Sequence, residues 1–202
     1  MPLRSTLIAA AMLAAATWAA TAAWAEEPKT EAKPPPDEVQ WAEFQSPERG
    51  FEISFPSTPQ TASAPVSGQN PLVRYSYQAS EGDDTVYTVV VLEYPSGKAP
   101  NPPEPDLYVK MVSAYAKDSQ SKVRKRDAKT IAGREGFEAI TDDGKEKVNH
   151  LVDIVPAGDR IYMLISAGPR GHATSDAAAR FRDSFRLTGD ASQSAASPAP
   201  SP

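Results

Sequence analysis

Few side chains in this sequence have the chemistry of a nucleophile, a general base or a metal ligand. The 202 residues include two histidines and no cysteine. His150 lies in an apolar run, in phase with Val152 and Ile154, where a histidine usually faces the core and is hydrogen-bonded. A ligand or general base needs partners, and no neighbouring residue completes such a site. We therefore predict a structural role for His150.

His172 ends the segment Gly-Pro-Arg-Gly-His, 168–172, just before a predicted helix. Gly171, Arg170 and the N-terminus of that helix could together hold an anion. A strand-to-helix turn needs glycine for its backbone and explains the same residues. The turn is the interpretation we favour, with the anion site as its alternative.

Two acidic clusters, Glu81-Gly82-Asp83-Asp84 and Asp142-Asp143, carry the oxygen ligands that calcium prefers. Neither has the spacing of a calcium-binding loop, and each lies where a hairpin must turn. Ser119-Gln120-Ser121-Lys122 matches the Ser-x-x-Lys motif of penicillin-recognising enzymes, but the companion motifs are missing. We assign no catalytic, cofactor-binding or metal-binding residue, and we expect no cofactor.

The charge balance argues against nucleic acid as a partner. The formal net charge is −5, and the one basic patch is the run Lys122–Arg126, which has no interleaved aromatic residue. We interpret this run as a solvated strand edge, with an anionic partner or lipid surface as the alternative. Because there is no cysteine, stability must come from a hydrophobic core and not from disulfides.

The N-terminus has the features of an export signal. Arg4 precedes the uncharged apolar run Leu7–Ala16, and Ala23-Trp24-Ala25 presents small residues where a signal peptidase cleaves. The apolar run is too short for a stable membrane span. We predict a signal peptide at 1–25, cleaved after Ala25, a periplasmic or secreted protein, and no transmembrane span in the mature chain.

The rest of the chain divides by composition into three parts. Residues 26–40 are rich in proline and charge, and they are predicted to form a disordered linker. Residues 189–202 are rich in alanine, serine and proline, and they are predicted to form a disordered tail. A single domain is predicted at 41–188.

Alternating and continuous apolar runs predict a β-rich domain. Phe51, Ile53 and Phe55 alternate with polar residues, as in a strand with one buried face, and Gly50 before them is predicted at positive φ. The nearly continuous apolar runs are predicted to be central strands with both faces covered. The predicted strands are Phe51–Phe55, Val73–Gln78, Thr85–Leu92, Lys122–Ile131 (an edge strand), Arg134–Thr141, Lys147–Val155 and Ile161–Ala167.

Two helices interrupt these strands. One begins near Pro105, with Tyr108, Met111, Val112 and Tyr115 on its buried face, and the other spans Ser175–Phe185. Successive hairpins imply a mainly antiparallel sheet. Strands covered on both faces need helices, or a helix and the N-terminal hairpin, on the two sides. The predicted fold class is α+β: a single-domain α/β/α sandwich with a central, mainly antiparallel sheet.

Two long segments, 57–71 and 96–106, are predicted to be loops with many prolines and small residues. If the protein binds a partner, we predict that these two loops form the binding site. The tyrosines Tyr75, Tyr77 and Tyr87 lie beside them in sequence-predicted strands, and they motivate a second hypothesis of a small apolar ligand.

Three motifs together resemble the PsbP-like group of exported bacterial domains. They are F-x-S-P-E-x-G-F-x-I-x-F-P-x-x-P from Phe44, I-A-G-R-E-G-F-E from Ile131, and D-R-I-Y-M-L-I-S-A-G-P with A-A-A-R-F-R-D-S-F-R-L toward Leu187. That group is similar in fold to the extrinsic PsbP subunit of photosystem II and to Ran-binding Mog-type proteins. The resemblance implies an antiparallel sheet flanked by helices. It carries over no site residue and no photosystem role.

The better-known members of that group are binding or assembly modules and not enzymes. The sequence therefore predicts an exported, non-catalytic binding or assembly module of the bacterial cell envelope, with an unidentified protein or envelope component as partner. A carrier or sensor of a small apolar or lipidic ligand is the alternative, and a hydrolase that uses His150 or His172 is the remote one. We expect a monomer.

Overall fold

The computed structural model describes residues 39–66, 72–95, 105–145 and 147–189. Within them the chain forms ten strands and two α-helices. Their bounds are β1 Ala42–Ser46, β2 Phe51–Phe55, β3 Gln60–Val66, β4 Leu72–Glu81, β5 Thr85–Glu93, α1 Pro105–Asp118, β6 Lys122–Ile131, β7 Arg134–Asp142, β8 Val148–Ala157, β9 Arg160–Pro169, α2 Asp176–Ser184 and β10 Arg186–Leu187.

Seven strands form one antiparallel sheet in the order β3-β4-β5-β9-β8-β7-β6. The two nearly continuous apolar runs are β5 and β9, and they pair with each other at the middle of this sheet. Both faces of these strands are covered, which is why their sequence lacks alternation. The predicted positions of the central strands and of the edge strand β6 are confirmed.

A second sheet of three strands, β1-β2-β10, lies on one face of the large one. β1 and β2 are joined by a 3₁₀ turn at Pro47–Arg49, after which Gly50 has a φ of 68°. That left-handed conformation favours glycine, as predicted. Phe51, Ile53 and Phe55 of β2 are at most 1% exposed. The alternation in β2 therefore builds the core between the two sheets.

The large sheet separates two apolar layers. On one face, α1 places Val112 against strand residues that include Val152 and Ile154. On the other face, α2 and the three-stranded sheet place Phe181 and Phe51 in the main core cluster with Tyr87. Both layers bury large apolar area, which is the main stabilising term. The predicted α+β fold, with helices on both faces of an antiparallel sheet, is confirmed.

The second helix begins as its sequence predicts. Ser175 has extended backbone, and its Oγ accepts a hydrogen bond from the Ala178 N–H at 3.2 Å. Asp176 follows in the first turn, where a carboxylate is favoured by the helix dipole. The helix presents Ala178 and Phe181 to the core.

The segment 57–71 differs from its prediction as a loop. Residues Gln60–Val66 form β3, which pairs in register with β4 from Gln60 opposite Gln78 to Val66 opposite Leu72. Most of β3 is exposed, so no buried face marks it in the sequence. Residues 67–71 and 96–104 lie outside the described residues, as do the predicted signal peptide, most of the predicted linker and nearly all of the predicted tail.

Across the described ranges, neither helix has the length and apolar character that a membrane crossing requires.

Candidate functional site

His150 is a core histidine with hydrogen-bond partners, as predicted. Its Nδ1 lies 3.0 Å from the Tyr115 hydroxyl and 3.1 Å from Thr141 Oγ1. Thr141 Oγ1 in turn accepts from Ser121 Oγ at 3.0 Å, which links the end of α1 to the sheet. Burial lowers the pKa of His150, although Asp143 and Asp142 oppose this. The network ties α1 to β7 and β8.

His172 begins a 3₁₀ turn and is 6% exposed. Its ring packs against Tyr87, with ring centroids 5.7 Å apart, and Gly168 makes room for it. A Cβ added at Gly168 would lie 2.6 Å from His172 Cγ. Burial lowers the pKa of His172, opposed by Glu81 and Asp84. The turn interpretation fits this geometry, since the imidazole is directed into the core and Gly171 has a φ of 88°.

The acidic clusters serve hairpin turns. Asp142 accepts from Arg124 and from the Gly144 N–H at 2.7 Å, and the Arg124 hydrogen bond holds its pKa below the usual value. Asp143 Oδ1 accepts from the backbone N–H groups of Lys145 and Lys147, each at 3.0 Å. Over the ranges that the structure describes, no three histidine or acidic side chains are arranged to hold a metal ion.

The Ser-x-x-Lys motif does not bring its serine and lysine into an active site. Ser119 Oγ donates to the Tyr115 carbonyl oxygen at 2.8 Å, at the C-terminal end of α1. Lys122 begins the edge strand β6 and is exposed. Ser119 therefore caps a helix end.

Two of the three singled-out tyrosines belong to the core. Tyr87 is 0% and Tyr77 is 8% exposed, and both pack in the cluster between the sheets. Burial and the neighbouring Glu81, which accepts from the Tyr87 hydroxyl at 2.8 Å, raise the pKa of Tyr87. Tyr75 is half-buried at the rim. The tyrosine faces that motivated the apolar-ligand hypothesis are thus largely core surfaces.

The two edges of the large sheet differ in a way that bears on binding. β6 carries five lysine and arginine residues and a register irregularity between Val123 and Lys125. Charges and bulges of this kind prevent pairing with other chains. β3 at the opposite edge has the sequence Gln-Thr-Ala-Ser-Ala-Pro-Val, with no charge and an unbroken register against β4. Within the described part of the chain, no strand pairs with its outer side.

A cleft of about 320 Å³ runs beside β3. It lies between this edge and the 3₁₀ turn of the small sheet. Its lining residues are Glu48, Arg49, Thr61, Ala62, Ser63, Tyr75 and Tyr77. The structure thus brings together two features singled out in the sequence, residues Thr61–Ser63 of the segment 57–71 and the tyrosines of β4.

Arg49 forms a fixed wall of this cleft. Its guanidinium carbon lies 3.6 Å from the centroid of the Tyr75 ring, and its Nη1 lies 2.9 Å from Glu93 Oε2. Its carbonyl oxygen accepts from the Tyr162 hydroxyl at 2.6 Å. These contacts hold both the side chain and the backbone in place before any ligand arrives.

Together, the edge and the cleft have the parts of a strand-addition site. The free backbone groups of Gln60–Ala64 can pair with an extended peptide, and the cleft can receive one of its side chains. Pro65 has no N–H to donate. The lining offers hydroxyl, carboxylate and guanidinium groups that hydrogen-bond a ligand. Sequence alone gives no sign of this role for Arg49 and Glu48, because nothing in the local sequence places them beside β3.

A second polar cluster lies under α2 and was not predicted. Glu138 and Asp153 face each other across β7 and β8 and are 7% and 1% exposed. Lys129 and Arg182 reach Glu138 from β6 and α2. The sequence signal for this cluster is Asp153, an acidic residue inside the apolar run of β8. Its neighbours in the cluster are distant in sequence, so the cluster itself is not predicted.

The fold has a counterpart among solved structures. The solution structure of cyanobacterial PsbP (CyanoP) from Synechocystis sp. PCC 6803 matches with a TM-score of 0.52 over 75% of this chain and 94% of that chain, at 13% sequence identity. No protein-family model matches the sequence, and no curated protein matches it. The likeness concerns the fold alone, and on that basis this chain has a PsbP-like fold.

Proposed function

We propose that this protein is an exported, non-catalytic binding or assembly module of the bacterial cell envelope, which holds an extended segment of a partner protein at β3. The observation that carries the proposal is the contrast between the two sheet edges. β6 is protected by charge and a bulge, whereas β3 is uncharged and regular. An uncharged, regular edge in a folded protein is a template for pairing with another chain, and the one residue of β3 that cannot donate to such a pair, Pro65, lies next to the end of the strand.

The cleft adds specificity to this edge. Thr61 and Ser63 lie opposite Tyr77 and Tyr75, so the same face of the strand pair borders the cleft. A partner strand added to β3 would place alternate side chains toward this cleft. The preformed Arg49–Tyr75 contact favours binding without rearrangement.

The PsbP-like fold supports a binding role, since the better-known members of the group that the sequence resembles are binding or assembly modules. The predicted signal peptide supports export. The first test of export is the N-terminus of the protein recovered from the envelope fraction. We expect Glu26 as the first residue, and an intact Met1 on the recovered protein would contradict export with cleavage.

The binding proposal is tested by a pair of matched lysine substitutions. Ala62→Lys places a charge on the exposed β3 edge, and Ala128→Lys places one on exposed β6. Affinity capture from envelope extract with the unmodified protein identifies the partner. We expect Ala62→Lys to reduce capture of that protein about tenfold, as for the loss of 1.4 kcal/mol of binding energy, and Ala128→Lys to leave it unchanged.

Hydrogen exchange then locates the contact. In the captured complex, the amides of Gln60–Ala64 and of Val66 are expected to exchange more slowly than in the free protein. Equal capture by both lysine variants, or protection that avoids β3, would contradict the proposal. Self-pairing of β3 would instead give a concentration-dependent dimer in light scattering, whereas we expect a monomer.

A further inference from the structure

A cavity of about 200 Å³ lies between the C-terminal end of α2 and the β6–β7 hairpin, on the opposite side of the large sheet from α1 and away from the β3 cleft. Its lining residues are Lys129, Thr130, Ile131, Ala132, Arg182, Asp183, Phe185 and Arg186. Three of these are cationic, although the chain as a whole is acidic, with a net charge of −5. The cavity is therefore locally rich in positive charge on a chain that is negative overall.

Two of the cations are held by one buried carboxylate oxygen. Lys129 Nζ lies 2.9 Å and Arg182 Nη1 lies 3.2 Å from Glu138 Oε2. Lys125 Nζ lies 3.7 Å from the other oxygen. The Glu138 side chain is only 9% exposed and fixes the two cations. Arg182 Nε also donates to Asp183 Oδ1 at 2.8 Å. The third cation, Arg186, is positioned by the backbone oxygens of Asp183 and Phe185, at 2.5 and 2.8 Å from its Nη1.

Asp153 lies directly behind this group. It is opposite Glu138 in register and 1% exposed, and within the described ranges its Oδ1 has no hydrogen-bond partner. Burial raises its pKa to about 7, with Arg182 and Lys129 opposing and Glu138 and Asp183 adding to the rise. From β9, its register partner is the uncharged Leu164. Asp153 is therefore the group whose charge can change near neutral pH.

The charge balance links an anion to this proton. With Asp153 protonated, Lys129, Arg182 and Arg186 outweigh Glu138 and Asp183 by one positive charge. Lys125 adds no net charge, because it is paired with Asp127 at 2.7 Å. With Asp153 ionised, the cluster is neutral. An anion in the cavity would meet a net positive site only in the protonated state, so its arrival favours protonation of Asp153.

We propose that this cavity binds a phosphate-bearing anion through Lys129, Arg182 and Arg186, and that Asp153 takes up a proton when the anion binds. Guanidinium groups match the geometry of phosphate oxygens, the ammonium adds a point charge, and the Thr130 hydroxyl at the rim can donate to the same group. The cavity is large enough for one phosphate group. The anion is held without a covalent bond, and the proton that Asp153 takes up comes from solvent.

The first experiment titrates inorganic phosphate into the full protein by calorimetry at low ionic strength. We expect saturable binding that Lys129→Met and Arg186→Met each weaken about tenfold, the loss of one charge-assisted hydrogen bond. Arg126→Met removes the same charge from an exposed position on β6 and is expected to have no such effect. Circular dichroism confirms that each variant is folded. Absence of saturable binding, or equal affinity in Lys129→Met and Arg126→Met, would overturn the proposal.

The second experiment counts protons. Sulfate does not titrate near neutral pH, so it replaces phosphate in titrations made in two buffers of different ionisation enthalpy. We expect proton uptake by the unmodified protein and none by Asp153→Asn, which should still bind sulfate. Identical heats in both buffers for the unmodified protein would overturn the proton linkage.

Vesicles distinguish the source of the phosphate. If the anion is a lipid headgroup, phosphatidylglycerol vesicles bind and Lys129→Met weakens this binding more than Arg126→Met does. If it is a free phosphate compound, only inorganic phosphate shows that difference between the variants. Binding that tracks net charge alone, with both variants weakened equally, would count against a built site.

Discussion

Two buried polar side chains on β8 differ in whether their hydrogen bonds are made. His150 faces α1 and has two hydroxyl groups within 3.1 Å of its Nδ1. Asp153 faces α2, and within the described ranges its Oδ1 has no hydrogen-bond partner. A satisfied buried group stabilises the fold, whereas an unsatisfied one costs free energy. The same strand thus carries one buried polar group whose hydrogen bonds are made and one that lacks a partner for its Oδ1.

Replacing Asp153 with Asn should change how stability depends on pH. The pKa of Asp153 is raised from 3.8 to about 7 in the folded protein. Its contribution to stability is therefore fully present below the unfolded value of 3.8, and it is lost as the pH rises through the folded value of about 7. Asparagine does not titrate, so Asp153→Asn should gain stability relative to the unmodified protein across this window.

Urea unfolding at several pH values measures the difference. Asp127→Asn serves as the control, because this carboxylate is half exposed on β6, where it pairs with Lys125 at 2.7 Å. A constant difference between Asp153→Asn and the unmodified protein at every pH would contradict the prediction.

Thr141 is the centre of the hydroxyl network and is 0% exposed. Thr141→Val keeps the shape but leaves Ser121 and His150 each without one partner. We expect a loss of about 1–3 kcal/mol in the free energy of unfolding, the cost of unsatisfied buried groups. Thr130→Val, on exposed β6, should change it by less than about 0.5 kcal/mol. Equal effects in chemical denaturation would show that the network does not stabilise the protein.

At the scale of elements, the sequence predicts those strands and turns that leave an apolar alternation or a glycine in the chain. Most strands are located by glycine turns and by alternation such as that of Phe51, Ile53 and Phe55. A strand with one buried face needs an apolar residue at every second position. β3 has no such alternation and is not predicted, because it is an exposed edge strand whose structure depends on pairing with β4. Glu138 and Asp153 become neighbours only through strand register, which no local pattern contains.

The β6–β7 turn contains a residue of the wrong type for its conformation. Two residues, Ala132 and Gly133, connect these strands, and their φ angles are 49° and 75°. Positive φ at both positions is the requirement of a type I′ hairpin, for which Asn-Gly is preferred. Ala132 therefore has an unfavourable left-handed backbone.

We expect Ala132→Gly and Ala132→Asn to raise the free energy of unfolding by about 0.5–1 kcal/mol. Ala128→Gly, in the interior of exposed β6, should lower it by about 0.5–1 kcal/mol, since glycine weakens a strand. Thermal unfolding distinguishes the two directions. Destabilisation by both substitutions at Ala132 would show that the turn does not favour a left-handed residue at this position.

At the scale of the whole molecule, one sheet supports two separate apolar layers. Ile53 lies in the layer beneath the small sheet and Ile154 in the layer beneath α1, and both are 0% exposed. Because they share no packing partners, their contributions to stability should be independent. The sheet still unites both layers, so they should unfold together.

Ile53→Val and Ile154→Val should each lower the free energy of unfolding by about 0.5–1.5 kcal/mol. The double variant should lose the sum of the two, within about 0.3–0.5 kcal/mol. A single transition by fluorescence and by circular dichroism is expected in all three. Two separate transitions would show that the layers are independent folding units.

The pairing of β5 with β9 has a consequence for how the protein can be assembled. β3, β4 and β5 form one run of neighbouring hairpins, and β6 to β9 form another. The two runs meet along the β5–β9 ladder, from Val86 opposite Ala167 to Glu93 opposite Arg160, and again where β10 joins β2.

A chain cut between β5 and α1 should therefore yield two fragments that complement each other. Each fragment alone would expose the apolar strand that its counterpart covers, so we expect native circular dichroism only after mixing, and a half that folds alone would argue against this assembly.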